Sequence, residues 1–253
     1  METVRKPFQG VSNIVRFNWH FYVIAGLVLV GLLVFSTQVG DSFKFYLRMG
    51  LILLFLLTIS SLLVSYYIYD SSGLYKLSWL NNKIKNSDTI VNIHAGFDET
   101  SELLQNKFGN TILTVFDFYN PEQHTEISIK RARKAYLPFP TTQSVNTSKL
   151  PLDDNTIGAI FVLLSAHEIR EEAERIVFFK ELYRVLAVDG QVIITEHLRD
   201  TANFLAYTIG FFHFHSRKTW LKTFTKSGFT IQQEMKITPF ITTFILEKHG
   251  TAS

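Results

Sequence analysis

Two uncharged stretches near the start of the chain decide where the rest of it can sit. No Asp, Glu, Lys or Arg occurs from Phe17 to Gly40, and none from Met49 to Tyr69. A helix needs about 20 consecutive apolar residues to cross the hydrocarbon core of a bilayer, and each stretch supplies them. Only the short connection from Gln38 to Arg48 separates them. The pair therefore reads as an antiparallel hairpin of membrane-spanning helices, at about residues 17–38 and 48–69. Trp19 and Tyr22, and then Tyr66, Tyr67 and Tyr69, stand where aromatic side chains collect at a membrane surface. A signal peptide is the other reading of the first stretch, with Arg5, Lys6 and Arg16 as its charged flank. Against it stand the length of the run, compared with a usual roughly 7–15 apolar residues, and the second run that follows at once.

A hairpin returns both ends of the chain to one side. Arg5, Lys6 and Arg16 before it, and Lys76, Lys83 and Lys85 after it, outnumber Lys44 and Arg48 in its loop. The positive-inside rule then places the remainder of the chain in the cytoplasm, at the cytoplasmic membrane. The expected organisation is an anchor over residues 1–70, a linker or interfacial segment over 71–87, and a soluble domain over 88–253. In the linker, Leu74, Leu77, Trp79 and Leu80 suit two arrangements equally: an amphipathic turn on the membrane surface, or a turn packed on the domain. A net charge of +3 is too small to point to nucleic acid, and none is expected as a partner. The chain has no cysteine, which excludes disulfides and thiolate metal sites.

From Asp88 onward, strand-like and helix-like segments alternate. Strands are expected at Thr89–His94, Thr111–Phe116, Thr142–Asn146, Thr156–Leu163, Gln191–Glu196, Phe229–Met235 and Phe240–Glu247. Helices are expected at Glu99–Phe108, Glu126–Ala135, Arg170–Leu186 and Arg217–Lys226, with Asp98 and Ser216 as N-caps. Such alternation predicts an α/β fold with a mostly parallel sheet covered on both faces. The last two strands have almost no residues between them, so they must pair antiparallel.

Four stretches carry a resemblance. Ile90-Val91-Asn92-Ile93-His94-Ala95-Gly96-Phe97-Asp98-Glu99 is a strand running into a turn that keeps one glycine. Asp117 ends the second strand. Leu150-Pro151-Leu152-Asp153-Asp154 precedes the strand Ile157–Val162. Phe179–Leu186 leads to Asp189-Gly190-Gln191 and the next strand. Together these resemble the class I S-adenosylmethionine-dependent methyltransferases of the small-molecule and quinone type, over about Asp88 to Lys248. The resemblance implies a Rossmann-like methyltransferase domain preceded by a transmembrane hairpin, with S-adenosylmethionine as cofactor. It places Gly96 and His94 beside the methionine part, Asp117 at the ribose hydroxyls and Asn146 near the adenine. The sequence departs from the family at the turn, where His94 and Asp98 occupy the positions of the first and third glycines. Asn92 replaces the usual acid of the first strand, and Gly158 stands where the fourth strand often has Asp.

Candidate acceptor-side residues follow strands four and five. His167, in Ser165-Ala166-His167-Glu168, suits a general base because imidazole titrates near neutral pH. His213 and His215 lie in the aromatic run Gly210–Arg217, where the family builds a substrate lid. His197, His213 and His215 show no specific ligand spacing, and no metal site is read from the sequence. Lys130, Arg131, Arg133 and Lys134 form a basic run that suits either lipid headgroups or a solvated helix face. The reading overall is a membrane-anchored methyltransferase acting on a lipophilic phenol, quinone precursor or polyketide-type pigment. Its alternative is a catalytically silent domain that binds a lipid or a partner protein at the membrane.

Overall fold

Seven strands line up in the order β3-β2-β1-β4-β5-β7-β6, in a computed structural model that describes residues 5–85, 87–124 and 126–249. The strands are β1 (Thr89–His94), β2 (Ile112–Asp117), β3 (Gln143–Ser144), β4 (Ile157–Leu163), β5 (Leu186–His197), β6 (Phe229–Thr238) and β7 (Ile241–Lys248). The first five run parallel. β7 pairs antiparallel with both β5 and β6, as the short link between the last two strands requires. The central strands read as continuous Val, Ile and Phe because they are covered on both faces: Ile90, Val91, Ile93, Ala159, Ile160, Phe161, Val192, Ile193 and Ile194 are all buried.

The helices are α1 (Gln9–Phe17), α2 (Trp19–Ser36), α3 (Asp41–Tyr66), α4 (Ser101–Lys107), α5 (Ile127–Ala135), α6 (Glu172–Val185), α7 (Thr201–Tyr207) and α8 (Arg217–Lys226). Phe178, Phe179 and Leu182 of α6 and Trp220 and Phe224 of α8 fill one face of the sheet. The Ser216 cap forms as expected, whereas the helix expected from Glu99 starts at Ser101 with Thr100 at its N-cap position, and Asp98 lies two residues further out, closing the turn before it. Asp98 Oδ1 accepts from the backbone of Thr100 and Ser101, each at 2.9 Å, and Ser216 Oγ accepts from Thr219 N. β5 begins at Leu186, earlier than expected, and β6 runs on to Thr238, just before Pro239. Proline lacks the N–H a ladder needs.

α2 and α3 are long and apolar enough to cross a membrane, and no residue of α2 is buried. α3 begins at Asp41, ahead of the uncharged run, so Lys44 and Arg48 lie within its first turns. The aspartate suits that position because it meets the positive end of the helix dipole. The chain before α2 forms α1, which the apolar run does not signal. The break falls at Asn18, whose side-chain amide donates to the Ile14 carbonyl and closes α1. Asp70 accepts from the backbone of Gly10 and Val11, both at 2.8 Å, and so caps α1 from a distant part of the chain. Leu77 and Leu80 of the linker are buried against Ile90, Phe161 and Ile193. Of the two arrangements open for that segment, packing on the domain is the one formed.

The end of α3 is fastened to the carboxyl edge of the sheet. It continues as a π-helical turn, Tyr67–Ser71, whose Ile68 is fully buried with Leu74 and Ile241. The Tyr69 hydroxyl lies 2.8 Å from His197 Nε2, and His197 Nδ1 lies 2.9 Å from Asn203 Oδ1. The Asn203 amide nitrogen donates to Asp200 and to the Phe240 carbonyl, so Asn203 Oδ1 is an acceptor. His197 Nδ1 therefore carries the proton, and its Nε2 accepts from Tyr69. Tyr69→Phe would leave that buried nitrogen without a donor, at a cost of about 1–3 kcal/mol. Thermal unfolding of the full chain in detergent should show the loss, and an unchanged midpoint would refute the arrangement.

Candidate functional site

The strand order reverses between β1 and β4, and ligands of open α/β sheets sit at such a point, outside the carboxyl ends of the strands. Two groups of polar side chains gather there.

The first lies on the turn after β1. Gly96 has φ +86°, a conformation that side chains disfavour. A Cβ at Gly96 would fall 2.8 Å from Arg133 Nη1 and 3.1 Å from Tyr119 Cβ. His94 is buried, and burial lowers its pKa against the opposing pull of Asp98 and Asp117. Its Nδ1 accepts from Gly96 N at 3.2 Å, so the neutral ring carries its proton on Nε2. That Nε2–H is buried with no partner among the described residues, and so is Asp98 Oδ2. The two atoms are 3.9 Å apart. A buried donor and a buried acceptor left unpaired side by side are uncommon, and both belong to the turn.

Asp117, at the end of β2, is buried. Its Oδ1 accepts from Tyr119 N at 2.9 Å, and its Oδ2 accepts from the Arg133 guanidinium. Arg133 also stacks on Tyr119. The basic run on α5 therefore does not present one solvated face. Arg131 donates to the Phe17 carbonyl at 2.6 Å and lies over Trp19, while Arg133 reaches into the turn. Sequence reasoning missed this residue, since nothing in a basic run tells which member turns inward. Asn146 is exposed in the turn after β3, with its carbonyl bonded to Lys149 N, and is not brought against the turn after β1. α1 covers this end of the sheet. Phe17 packs on Phe97 and Tyr136, and Arg5 pairs with Glu99 at 2.5 Å.

The second group follows β4. His167 Nδ1 is 2.6 Å from Glu196 Oε2, and its Nε2 is 3.3 Å from Glu168 Oε1. Burial lowers the pKa of His167, but the two carboxylates outweigh it and push the value up to about 10. His167 is thus an imidazolium at neutral pH. Burial raises the pKa of Glu168, yet His167 and His213 hold it well below the usual carboxylate range. His213 Nε2 is 3.5 Å from Glu168 Oε1, and its Nδ1 is 2.8 Å from Glu126 Oε1. The run after α7 thus returns to β4, as a lid would. His215 is turned away from the group. It packs on Trp220, with Nε2 3.2 Å from Arg175 Nη1, and burial and Arg175 lower its pKa to about 3. Glu196 stands at the end of strand five, an edge the sequence marks, but its pairing with His167, and that of Glu126 with His213, carried no signal because each lies far along the chain from its histidine. Beside the cluster opens a cavity of about 300 Å³, lined in part by Asn18, His20 and Phe21 at the start of α2 and by Glu126, Glu168 and Arg170.

Residues 95–194 match the family described as "Methyltransferase domain". No curated protein sequence matches the chain. Among solved structures, the chain is similar to a SAM-dependent methyltransferase from Aquifex aeolicus, at 17% identity and a TM-score of 0.51 over 70% of this chain and 93% of that one. It is similar to the PH0226 protein of Pyrococcus horikoshii OT3, at 17% identity and a TM-score of 0.53 over 70% and 90%. A third is the geranyl diphosphate C-methyltransferase of Streptomyces coelicolor A3(2), at 14% identity and a TM-score of 0.50 over 70% and 79%. That protein was solved with Mg2+, geranyl diphosphate and S-adenosyl-L-homocysteine. The fold of the sheet and its helices is that of the Rossmann-like methyltransferases.

The turn geometry is directly testable. Gly96→Ala should destabilise the chain by about 1–2 kcal/mol from the positive φ, with a further loss from contact with Arg133. Making the same change in an Arg133→Ala background should restore only that second part. Denaturant unfolding of all four chains gives both terms, and an identical penalty in the two backgrounds would show that Arg133 does not lie over the turn.

Proposed function

We propose that the chain is an S-adenosylmethionine-dependent methyltransferase, anchored in the cytoplasmic membrane by α2 and α3 and acting on a lipophilic hydroxylated molecule. The observation that carries the reading is the unpaired pair beside Gly96. The methionine end of the cofactor is a zwitterion. The buried His94 Nε2–H suits its carboxylate, and the buried Asp98 Oδ2 suits its ammonium group. Gly96 keeps the backbone between them free of a side chain. Asp117 is placed to accept from the ribose hydroxyls once the Arg133 guanidinium withdraws. That side chain is 40% exposed and long enough to do so. The residues of the turn and of β2 therefore fit the cofactor. Asn146 is placed near the adenine only by the resemblance. When bound, S-adenosylmethionine supplies an electrophilic methyl group on a sulfonium.

The protein's own part is positioning, which removes much of the entropic barrier to a displacement. The cavity at the start of α2 suits an acceptor arriving from the bilayer. Its polar wall is Glu126, Glu168 and Arg170, and its apolar wall is Phe21. His167, His213 and Glu168 would meet the acceptor's hydroxyl and orient it. His215 is assigned no contact with the acceptor. A phenol, a quinone precursor or a polyketide-type pigment has the required mixture of an apolar body and a hydroxyl. Phe204, Leu205, Ile209 and Phe212 stand exposed around the return of this segment, next to the end of α3. Exposed apolar clusters of this kind mark membrane or partner contacts. They support a domain whose cleft opens toward the lipid, on the cytoplasmic side.

One observation favours the second reading, a silent domain: Arg133 already neutralises Asp117. Calorimetry with S-adenosylmethionine separates the two. The wild type should bind, and Arg133→Ala should bind roughly 10- to 150-fold tighter, because one charge-assisted hydrogen bond of about 1.5–3 kcal/mol no longer competes. Asp117→Ala should lose roughly 10- to 150-fold in affinity. No heat and no stability shift at millimolar cofactor, in both the wild type and Arg133→Ala, would establish the silent domain.

The anchor has its own test. Carbonate and high salt should leave the full chain in the membrane fraction, and only detergent should release it. Recovery in the supernatant without detergent would overturn the anchoring.

A further inference from the structure

His167, Glu168 and His213 come from two segments, the turn after β4 and the run after α7, and converge on one point. His167 Nε2 is 3.3 Å and His213 Nε2 is 3.5 Å from Glu168 Oε1. All three atoms lie within 4.8 Å of one another. Zinc binds imidazole nitrogen and carboxylate oxygen at about 2.0–2.2 Å, and tetrahedral angles then separate neighbouring donor atoms by roughly 3.3–3.6 Å. The two measured separations have that value.

The outer nitrogens supply an independent observation. His167 Nδ1 faces Glu196 Oε2 at 2.6 Å, and His213 Nδ1 faces Glu126 Oε1 at 2.8 Å. A metal-bound histidine characteristically gives its other N–H to a carboxylate, which fixes the tautomer and turns the free lone pair toward the ion. Both histidines have a carboxylate beside Nδ1 and both Nε2 atoms face the same third ligand, although at His213 the Arg170 guanidinium also meets Nδ1 and must withdraw before that N–H faces Glu126 alone. We propose that His167, Glu168 and His213 form a binding site for a zinc-like divalent cation at the membrane-facing end of the cleft.

The donor set, two imidazoles and one carboxylate, suits zinc and its borderline neighbours rather than magnesium, which prefers oxygen. Three protein ligands leave a position for a further oxygen, and Glu168 also lines the cavity formed in part by Phe21, Glu126 and Arg170. An ion there acts as a Lewis acid on a hydroxyl oxygen and lowers its pKa. This last step rests on the proposed hydroxylated acceptor, whereas ion binding does not. Ion entry must release the Nε2 proton of the His167 imidazolium, so binding falls as pH is lowered, and it must displace one protein cation. The Arg170 guanidinium lies along the His213 ring, with Nη2 against Nδ1 and 3.1 Å from Nε2, and also donates to the His213 carbonyl. Its side chain is 36% exposed, so it can rotate into solvent when an ion enters.

The test uses the full-length protein in detergent, stripped with a chelator and titrated with Zn2+ and with Co2+. One ion per chain is expected, and Co2+ should give the strong visible absorption of a four-coordinate site. His167→Ala and His213→Ala should each weaken binding by more than about 100-fold, and Glu196→Gln by about 10- to 100-fold. Arg170→Ala should tighten it. His249→Ala, on the far edge of the sheet, should leave it unchanged. Thermal unfolding of each variant confirms that it is folded, and His213→Ala is the gentler of the two ligand changes because its side chain is the more exposed. Calorimetry with S-adenosylmethionine on the stripped protein reads the cofactor site separately, so a failure there and a failure here are distinct results. Absence of stoichiometric ion in the wild type, or equal binding by a folded His167→Ala/His213→Ala chain, would overturn the proposal.

Discussion

The fastening of α3 to the carboxyl edge of the sheet is the contact on which the rest of the arrangement depends. Ile68 is fully buried at the foot of that helix, and Tyr69 completes the chain Tyr69–His197–Asn203 at the end of β5. Burial holds His197 neutral, with its pKa lowered to about 4, so the imidazole can accept one hydrogen bond and donate the other. A lone buried nitrogen would be costly, and the pairing fixes how the helix leaves the domain. It leaves at the same edge where an open α/β sheet binds its ligands. An apolar helix and a ligand cleft are thereby put side by side.

α1 exploits the same junction. It is nine residues long and would not hold together alone in water. Asp70, one residue beyond Tyr69, satisfies two of its free N–H groups, and Gly10 lets its backbone lie against Tyr69, where a Cβ would come within 2.3 Å of the Tyr69 Cβ. So placed, α1 lays Phe17 on Phe97 and brings Arg5 to Glu99, both next to Gly96. Arg5 and α1 become one wall of the turn after β1.

Charge balance shapes both halves of the cleft. At the turn, a buried carboxylate on β2 meets the Arg133 guanidinium. At the other end, Glu126, Glu168 and Glu196 surround His167 and His213. Glu168 and Glu196 are buried, and buried carboxylates need cations close by. In the first case an arginine from α5 supplies the charge, and in the second an imidazolium does. Each place is therefore one that a ligand's positive group, or an ion, can take over by displacing a protein cation.

Much of this was legible in the residues. The uncharged runs gave two helices of membrane length, because only charge and length enter that argument. The alternation of apolar strands with capped helices gave the α/β sheet and its antiparallel closing pair, because side-chain periodicity and short links act locally. Gly96, Asp117 and His167 could be named because each stands at or just beyond the end of a strand, and strand ends share an edge; His213 could be named from its aromatic run between the fifth strand and the last helix. Tertiary structure decided everything that depends on partners distant in the chain. It decided that α1 docks on the domain, that Leu77 and Leu80 face the sheet, and that His215 turns to Trp220 while its neighbour two residues before meets Glu168. It decided that Arg133, rather than Lys130 or Lys134, enters the turn. A hydrogen bond or ion pair depends on a few ångströms and on direction, and residues 16 to 94 positions apart acquire both only when the sheet brings their segments together.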